Sequence, residues 1–209
     1  MPVTIIPIGA MVLACSVWGL SGIFYEKLAH LPAIVVLAHR TLWSMVVFGT
    51  YLSLKGRLGS LFKTKIDFFV LRYLLICAIL IAVNWFSFIY AIQTGQAVQA
   101  SFGYYMFPIV AIVFGYLFKG ERFLKYQKVA IFFLMASVCG LAFALAVFPV
   151  ISIIIAVTFG VYGLLKGSSR IAPIESVTIE TMLLSPLALA TIGWLFFNPS
   201  TGSISPTYD

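Results

Sequence analysis

The sequence alternates between long apolar stretches and short polar connections. The apolar stretches lie near residues 4–25, 33–54, 72–93, 98–118, 126–147, 149–165 and 176–197. Each is close to the roughly 20 residues that an α-helix needs to cross a hydrocarbon core of about 30 Å. Backbone groups cannot stay unpaired in lipid, and the stretches are too continuously apolar for barrel strands. The pattern therefore predicts an all-α integral membrane protein with seven transmembrane helices.

Composition supports this class. The chain has 209 residues, of which 62% are hydrophobic and 9% are charged, and its mean hydropathy is +1.10. A soluble domain carries about 25% charged residues. The N-terminus has no basic segment ahead of its apolar run, so we expect it to remain as the first helix rather than to be cleaved as a signal peptide.

The net charge of +7 is distributed unevenly. Eleven of the thirteen lysines and arginines lie in three alternate connections, near residues 55–72, 119–128 and 166–170. By the positive-inside rule these connections and the N-terminus are cytoplasmic, and the C-terminal tail lies outside. The basic residues set topology and need bind nothing, so we expect no nucleic-acid partner.

Segment 55–69 mixes basic and large apolar residues, which predicts a short amphipathic helix in the inner interface.

His39 and Arg40 lie inside the second apolar stretch. A guanidinium near the bilayer centre costs roughly 2.5–3.5 kcal/mol, so it persists when it faces a polar cavity, a partner or a ligand. Arg40 follows Pro32 by about seven helical residues, or roughly 10 Å, which places it between the outer surface and the midplane. Arg40 is therefore a candidate binding residue. His39 is either a second one or bonds to a backbone carbonyl.

Other polar and aromatic side chains lie within the apolar stretches. Asn84, close to the midplane, must hydrogen-bond either to another helix or to cargo. Ser101 and Tyr104 share a helix face that suits a cavity wall or close helix packing, and the face that carries Trp18 has the same two interpretations. Glu180 lies about five residues into the last stretch, where a carboxylate is as costly as a guanidinium.

A short motif recurs along the chain. Residues 17–20 read VWGL and residues 161–164 read VYGL, and each is followed by a proline-containing hinge and a helix with an ionisable residue, Arg40 or Glu180. A repeat of five helices is odd-numbered, so the second copy must be inverted in the membrane, as the loop charges independently require. Inverted repeats with polar groups near the midplane are typical of alternating-access carriers. Inverted symmetry separates Arg40 and Glu180 by about 10 Å in height, so we expect no direct ion pair between them.

Several short motifs are spread over residues 10–190. They are His39-Arg40 with Trp43, Asn84-Trp85, Ala100-Ser101-Phe102-Gly103-Tyr104 with Pro108, Gly120-Glu121-Arg122 with Gln127, Tyr162-Gly163-Leu164, and Glu180-Thr181 with Pro186. Together they resemble the RarD group of the EamA family, in the drug/metabolite transporter superfamily. The resemblance implies a bacterial inner-membrane carrier that exports small metabolites or drugs. It also implies ten helices, arranged as two five-helix repeats around a central cavity.

Two features depart from that family pattern. Many relatives carry an acid shortly before the His-Arg pair, where this chain has Val35, which argues against a proton-linked role at that position. The chain also shows seven helices, so it resembles a C-terminally truncated carrier. The expected divisions are a first repeat over residues 1–147, a partial second repeat over residues 148–197 and a polar tail over residues 198–209.

Two functions follow from these observations. The first is a secondary carrier of small-molecule cargo, monomeric or homo-oligomeric, with cargo-binding residues at Trp18, His39, Arg40, Asn84, Ser101, Tyr104 and Glu180. The second is a non-transporting remnant or a partner subunit that requires another chain. The sequence has no HExxH, GxSxG or P-loop motif and no carboxylate cluster suited to a metal, so we expect neither an enzyme nor a bound cofactor or metal.

Overall fold

A computed structural model describes residues 5–59, 67–145, 149–169 and 171–198. These residues contain seven α-helices that are long and apolar enough to cross a membrane, which confirms the predicted fold class. In chain order the helices are α1 (Ile5–Lys27), α2 (Ala33–Leu54), α3 (Phe68–Gln93), α4 (Ala97–Lys119), α5 (Lys125–Leu145), α6 (Val150–Gly167) and α7 (Pro173–Phe197).

Capping residues, prolines and glycines mark several of the helix ends. The Asp67 carboxylate accepts a hydrogen bond of 2.7 Å from the Phe68 amide, so α3 begins four residues before its continuous apolar stretch. Pro173 begins α7, in a position where its missing N–H costs no helical hydrogen bond. Gly120 follows α4 with a φ of 64°, a left-handed conformation that favours glycine.

Helix α3 is the centre of the bundle. Half of its most apolar segment is buried, and it contacts α1, α2, α4, α6 and α7. Two further pairs pack closely around it, α2 with α7 and α4 with α6. By contrast, α1 and α5 are each only 6% buried over the same length, and α5 packs beside α4 at the periphery.

Glycines allow α4 and α6 to approach each other. A Cβ atom on Gly103 would lie 2.8 Å from Ile155 Cβ, and one on Gly160 would lie 2.5 Å from Val110 Cγ1. Small residues at such contacts are what membrane helix interfaces favour, because lipid provides no hydrophobic drive for association. The two helices are also joined by a hydrogen bond of 2.7 Å from Ser152 Oγ to the Gln99 carbonyl.

Parts of the sequence predictions fall outside the described residues. Residues 60–66 of the predicted interfacial helix, the repeat boundary near residue 147, and residues 199–209 of the predicted tail are among them. The division of the chain into a complete and a partial inverted repeat therefore stays a prediction.

Candidate functional site

A cavity of about 820 Å³ lies between five of the helices. Its walls come from α1, α2, α6 and α7 and from the central helix α3. The aromatic, polar and charged lining residues are Trp18, Ser21, Tyr25, Arg40, Trp85, Phe159, Tyr162, Glu180 and Thr181, and the others are aliphatic. This volume falls in the range of about 300–1,000 Å³ that is usual for small-molecule sites. The cavity is therefore large enough for a small organic molecule.

Arg40 is held from two sides. Its Nη1 donates a hydrogen bond of 2.9 Å to the Tyr25 hydroxyl of α1, and its guanidinium carbon lies 4.0 Å from the centre of the Trp85 ring of α3. A guanidinium over an indole face is a cation–π contact, which orients the charge without neutralising it. Among the described residues, Arg40 forms no ion pair with a carboxylate. The Arg40 guanidinium is therefore held in place, but no carboxylate among the described residues neutralises its charge.

A second cavity of about 530 Å³ lies between α1 and α2. Tyr25 and Arg40 line both cavities. His39 lines this second cavity rather than the larger one, and its side chain is exposed.

Glu180 also lines the larger cavity and lies in a hydrogen-bonded cluster. Its side chain is 1% exposed and accepts hydrogen bonds from Lys166 Nζ at 2.6 Å, from Ser176 Oγ at 2.8 Å and from the Tyr162 hydroxyl at 3.0 Å. Lys166 Nζ also donates to Ser176 Oγ. These bonds join the end of α6 to the start of α7. Both Glu180 oxygens are thereby engaged by side chains of the same chain.

A second ion pair lies at the same end of the bundle. Arg57, just after α2, donates a hydrogen bond of 2.7 Å to the Glu175 carboxylate in the first turn of α7. Since the Arg57 side chain is 59% exposed, this pair is solvated and contributes little, in the range of about 0–1 kcal/mol. It nevertheless shows that the end of α2 and the start of α7 lie together.

Aromatic rings form one wall of the larger cavity. The Trp18 ring meets Tyr104 and Phe159 edge to face, with centroid distances of 5.5 Å and 6.2 Å. The Phe159 and Tyr162 rings are nearly parallel, with centroids 6.3 Å apart. These are favourable aromatic geometries, so the wall is fixed by α1 on one side and α6 on the other.

Asn84 joins three helices and lies behind that wall. Its Nδ2 donates to the Ile155 carbonyl at 2.9 Å and to Thr158 Oγ1 at 3.1 Å, and its Oδ1 accepts from the Tyr104 hydroxyl at 2.8 Å. The side chain is fully buried. Of the two interpretations that the sequence left open, the structure shows the interhelical one.

The structure therefore brings together some of the predicted site residues and not others. Trp18, Arg40 and Glu180 line the larger cavity, His39 lines the smaller one, and Asn84 and Tyr104 support the aromatic wall from behind. Ser101 is exposed and lines neither cavity, because α4 packs on α3 and α6 through the neighbouring face that carries Gly103 and Tyr104. As a result, α4 reaches the cavity only indirectly.

Sequence reasoning missed Lys166. The charge pattern places it among the basic residues that set topology, whereas its side chain is 18% exposed and pairs with Glu180. Lys166 follows Tyr162 by four residues, so both lie on one helix face. This spacing is the feature of the sequence that could have indicated a role for Lys166 inside the bundle. Nothing local in the sequence indicates that Tyr25 and Trp85 hold Arg40.

The comparisons with known proteins agree with these observations. The chain matches the EamA-like transporter family over residues 5–143. It is 34% identical over 193 residues to the uncharacterized transporter YojE of Bacillus subtilis, covering 90% of this chain and 62% of YojE. It is 33% identical over 178 residues to the protein RarD of Escherichia coli, covering 82% of this chain and 58% of that protein. No solved structure matches.

The chain thus spans about three fifths of the length of the curated relatives that it matches. Those relatives are bacterial, several are named as transporters, and the seven apolar helices indicate a multi-pass membrane protein. The family match covers about two thirds of the sequence, including the helices that hold Arg40 and Trp85. The chain belongs to the EamA-like transporter family and is of the RarD type.

Proposed function

We propose that this chain forms the cargo pathway of a secondary carrier that exports small molecules by alternating access. The observation that carries the proposal is the cavity of about 820 Å³, whose lining contains Arg40 and also Glu180, which is paired with Lys166. The cavity thus offers an uncompensated cation that can bind cargo and an ion pair that can break when the pathway opens.

The orientation of this pathway follows from the loop charges. The positive-inside rule places the connections after α2, α4 and α6 in the cytoplasm, together with the N-terminus. Glu180 and Lys166 then lie toward the cytoplasm, and Arg40 lies about 10 Å below the outer surface. The pairs Lys166–Glu180 and Arg57–Glu175 hold the cytoplasmic ends of α2, α6 and α7 together. Opening toward the cytoplasm requires at least one of these pairs to break.

A second candidate is a membrane subunit that transports only with another chain. It is favoured by α1, which lines the cavity with one face while only 6% of its apolar segment is buried. On that side a single helix forms the cavity wall. A further polypeptide could pack against the exposed face of α1.

The test is counterflow of labelled amino acids and amphipathic drugs into proteoliposomes that contain the 209-residue chain. We expect accumulation by the unaltered protein, loss of accumulation for Arg40→Ala, and full accumulation for Arg122→Ala, a matched removal of an exposed arginine beside α5. Equal transport by Arg40→Ala and the unaltered chain would contradict the role given to Arg40. Accumulation that appears only after a second chain is co-reconstituted would favour the subunit.

A further inference from the structure

The charge and the walls of the larger cavity identify a class of cargo, on the basis of the proposed function. We infer that the cargo is a small aromatic compound with a single negative charge, most simply an arylcarboxylate, bound with its carboxylate on Arg40 and its ring against the aromatic wall.

The first argument is the charge balance of the cavity. Within the described residues, two charged side chains line it, Arg40 and Glu180, and Lys166 pairs with Glu180. Glu180 and Lys166 neutralise each other, and Arg40 is left with a phenol and an indole as its neighbours. A net charge of plus one in a low-dielectric site attracts an anion and repels a cation. A monoanion restores neutrality, whereas a dianion would leave an uncompensated negative charge.

The second argument is the free donor geometry of Arg40. A guanidinium has five N–H donors in a planar fork, and the Tyr25 hydroxyl takes one of them. Trp85 covers the guanidinium at 4.0 Å, which leaves the edge of the fork for a ligand. A carboxylate matches such an edge with two parallel hydrogen bonds. Trp85 and Tyr25 thus hold Arg40 in the orientation that a carboxylate needs.

The third argument excludes an ammonium group on the cargo. Arg40 repels such a group, and a carboxylate is the partner that would stabilise it most strongly. Glu180 is the one carboxylate among the described residues that line the cavity. Its two oxygens already accept from Lys166, Ser176 and Tyr162, and its side chain is 1% exposed. An amine or a zwitterion would have to displace Lys166. The site therefore selects a carboxylate without an amine.

The fourth argument concerns the ring. The cavity lining includes Trp18, Phe159 and Tyr162, whose rings contact one another, and also Trp85, among aliphatic side chains. Flat aromatic faces at centroid distances of about 4.5–7 Å favour another ring in offset or edge-to-face contact. A compound with a ring next to its carboxylate satisfies both the cation and this wall.

The test is equilibrium binding of radiolabelled phenylacetate to the purified 209-residue chain in nanodiscs, with competitors that vary one group at a time. Phenylacetamide keeps the ring and removes the charge, phenethylamine reverses the charge, phenylalanine adds an ammonium group, and acetate removes the ring. We expect saturable phenylacetate binding and competition at least tenfold weaker for each of the four analogues than for phenylacetate itself. Competition by phenylacetamide or phenylalanine as strong as by phenylacetate would overturn the inference, and so would no binding of phenylacetate.

Variants locate the bound carboxylate. Arg40→Gln should weaken phenylacetate binding at least tenfold, whereas Arg122→Gln, the same change at an exposed site, should leave it unaltered. Tyr25→Phe keeps the charge and removes the hydrogen bond to Arg40, so it provides a milder variant if Arg40→Gln does not fold; we expect a severalfold loss. Unchanged binding by either cavity variant in folded protein would overturn the inference.

The binding experiment and the counterflow experiment can fail independently, so each tests its own proposal. Phenylacetate binding without counterflow of any compound would support the cargo class and contradict the carrier. Counterflow of amines or neutral drugs without phenylacetate binding would support the carrier and overturn the cargo class.

Discussion

The ion pair between Lys166 and Glu180 gives the most quantitative prediction. Glu180 is 1% exposed and Lys166 is 18% exposed, so neutralising one of them leaves the other charge inside the bundle. Removing one partner of a buried pair costs about 3–5 kcal/mol, because the remaining charge has lost its compensation. Since Lys166 retains some exposure, we expect Glu180→Gln to cost about 3 kcal/mol, at the lower end of that range. This substitution keeps an oxygen that can accept from Tyr162 or Ser176, so the effect isolates the charge.

The assay is thermal unfolding of the purified protein in detergent, followed by tryptophan fluorescence. One kcal/mol shifts the Tm of a chain of this size by about 2–4 °C, so Glu180→Gln should lower the Tm by roughly 6–12 °C. Lys166→Met should lower it by a similar amount. The double variant contains no unpaired charge and should recover most of the loss. Lys125→Met, at an exposed position on α5, should have no effect.

The double-mutant cycle decides whether this reasoning is right. A coupling free energy of about 2 kcal/mol or more between the two positions is expected, since residues in one network are not independent. If the losses of the two single variants simply add in the double variant, the pair does not stabilise the bundle, and its assignment as the cytoplasmic closure fails with it.

Three further predictions use the same protein. Gly103→Leu should destabilise the bundle by about 1–3 kcal/mol through overlap with Ile155, whereas Gly140→Leu, where no atom lies within 4 Å of the position that a Cβ would take, should be neutral in the same thermal assay. Asn84→Ala should cost about 1–2 kcal/mol by removing hydrogen bonds between three helices, and no loss of Tm would show that these bonds contribute nothing. In a cysteine-free background, Lys125→Cys should react with a membrane-impermeant maleimide in inside-out vesicles only; labelling of intact cells instead would reverse the proposed topology.

The number and limits of the helices could be predicted from the sequence because the bilayer sets their length. The main differences are at helix starts. Helix α3 begins at Phe68 rather than near residue 72 because Asp67 caps it, and α7 begins at Pro173 rather than near residue 176. Both starts carry ordinary capping signals that hydropathy alone does not register.

The candidate site could be predicted only in part, because its partners are distant in sequence. The depth of Arg40 marks it as a residue in need of a partner, but does not reveal that Trp85 and Tyr25 hold it. Asn84 bonds to residues 71 and 74 positions away, which no local pattern reveals. The role of Lys166 was missed because a lysine at the end of an apolar run usually marks topology.

The central claim is that the larger cavity is a cargo pathway that can be reached from water, and cysteine accessibility tests it most directly without requiring knowledge of the cargo. Ser21 lines the cavity, whereas Ser137 is exposed on the peripheral helix α5, and each hydroxyl donates to a backbone carbonyl of its own helix. In a cysteine-free background, Ser21→Cys should react with an anionic, membrane-impermeant methanethiosulfonate at least tenfold faster than Ser137→Cys. Equal and slow reaction of the two variants would contradict the account, because the cavity would then be closed to water and to any charged cargo.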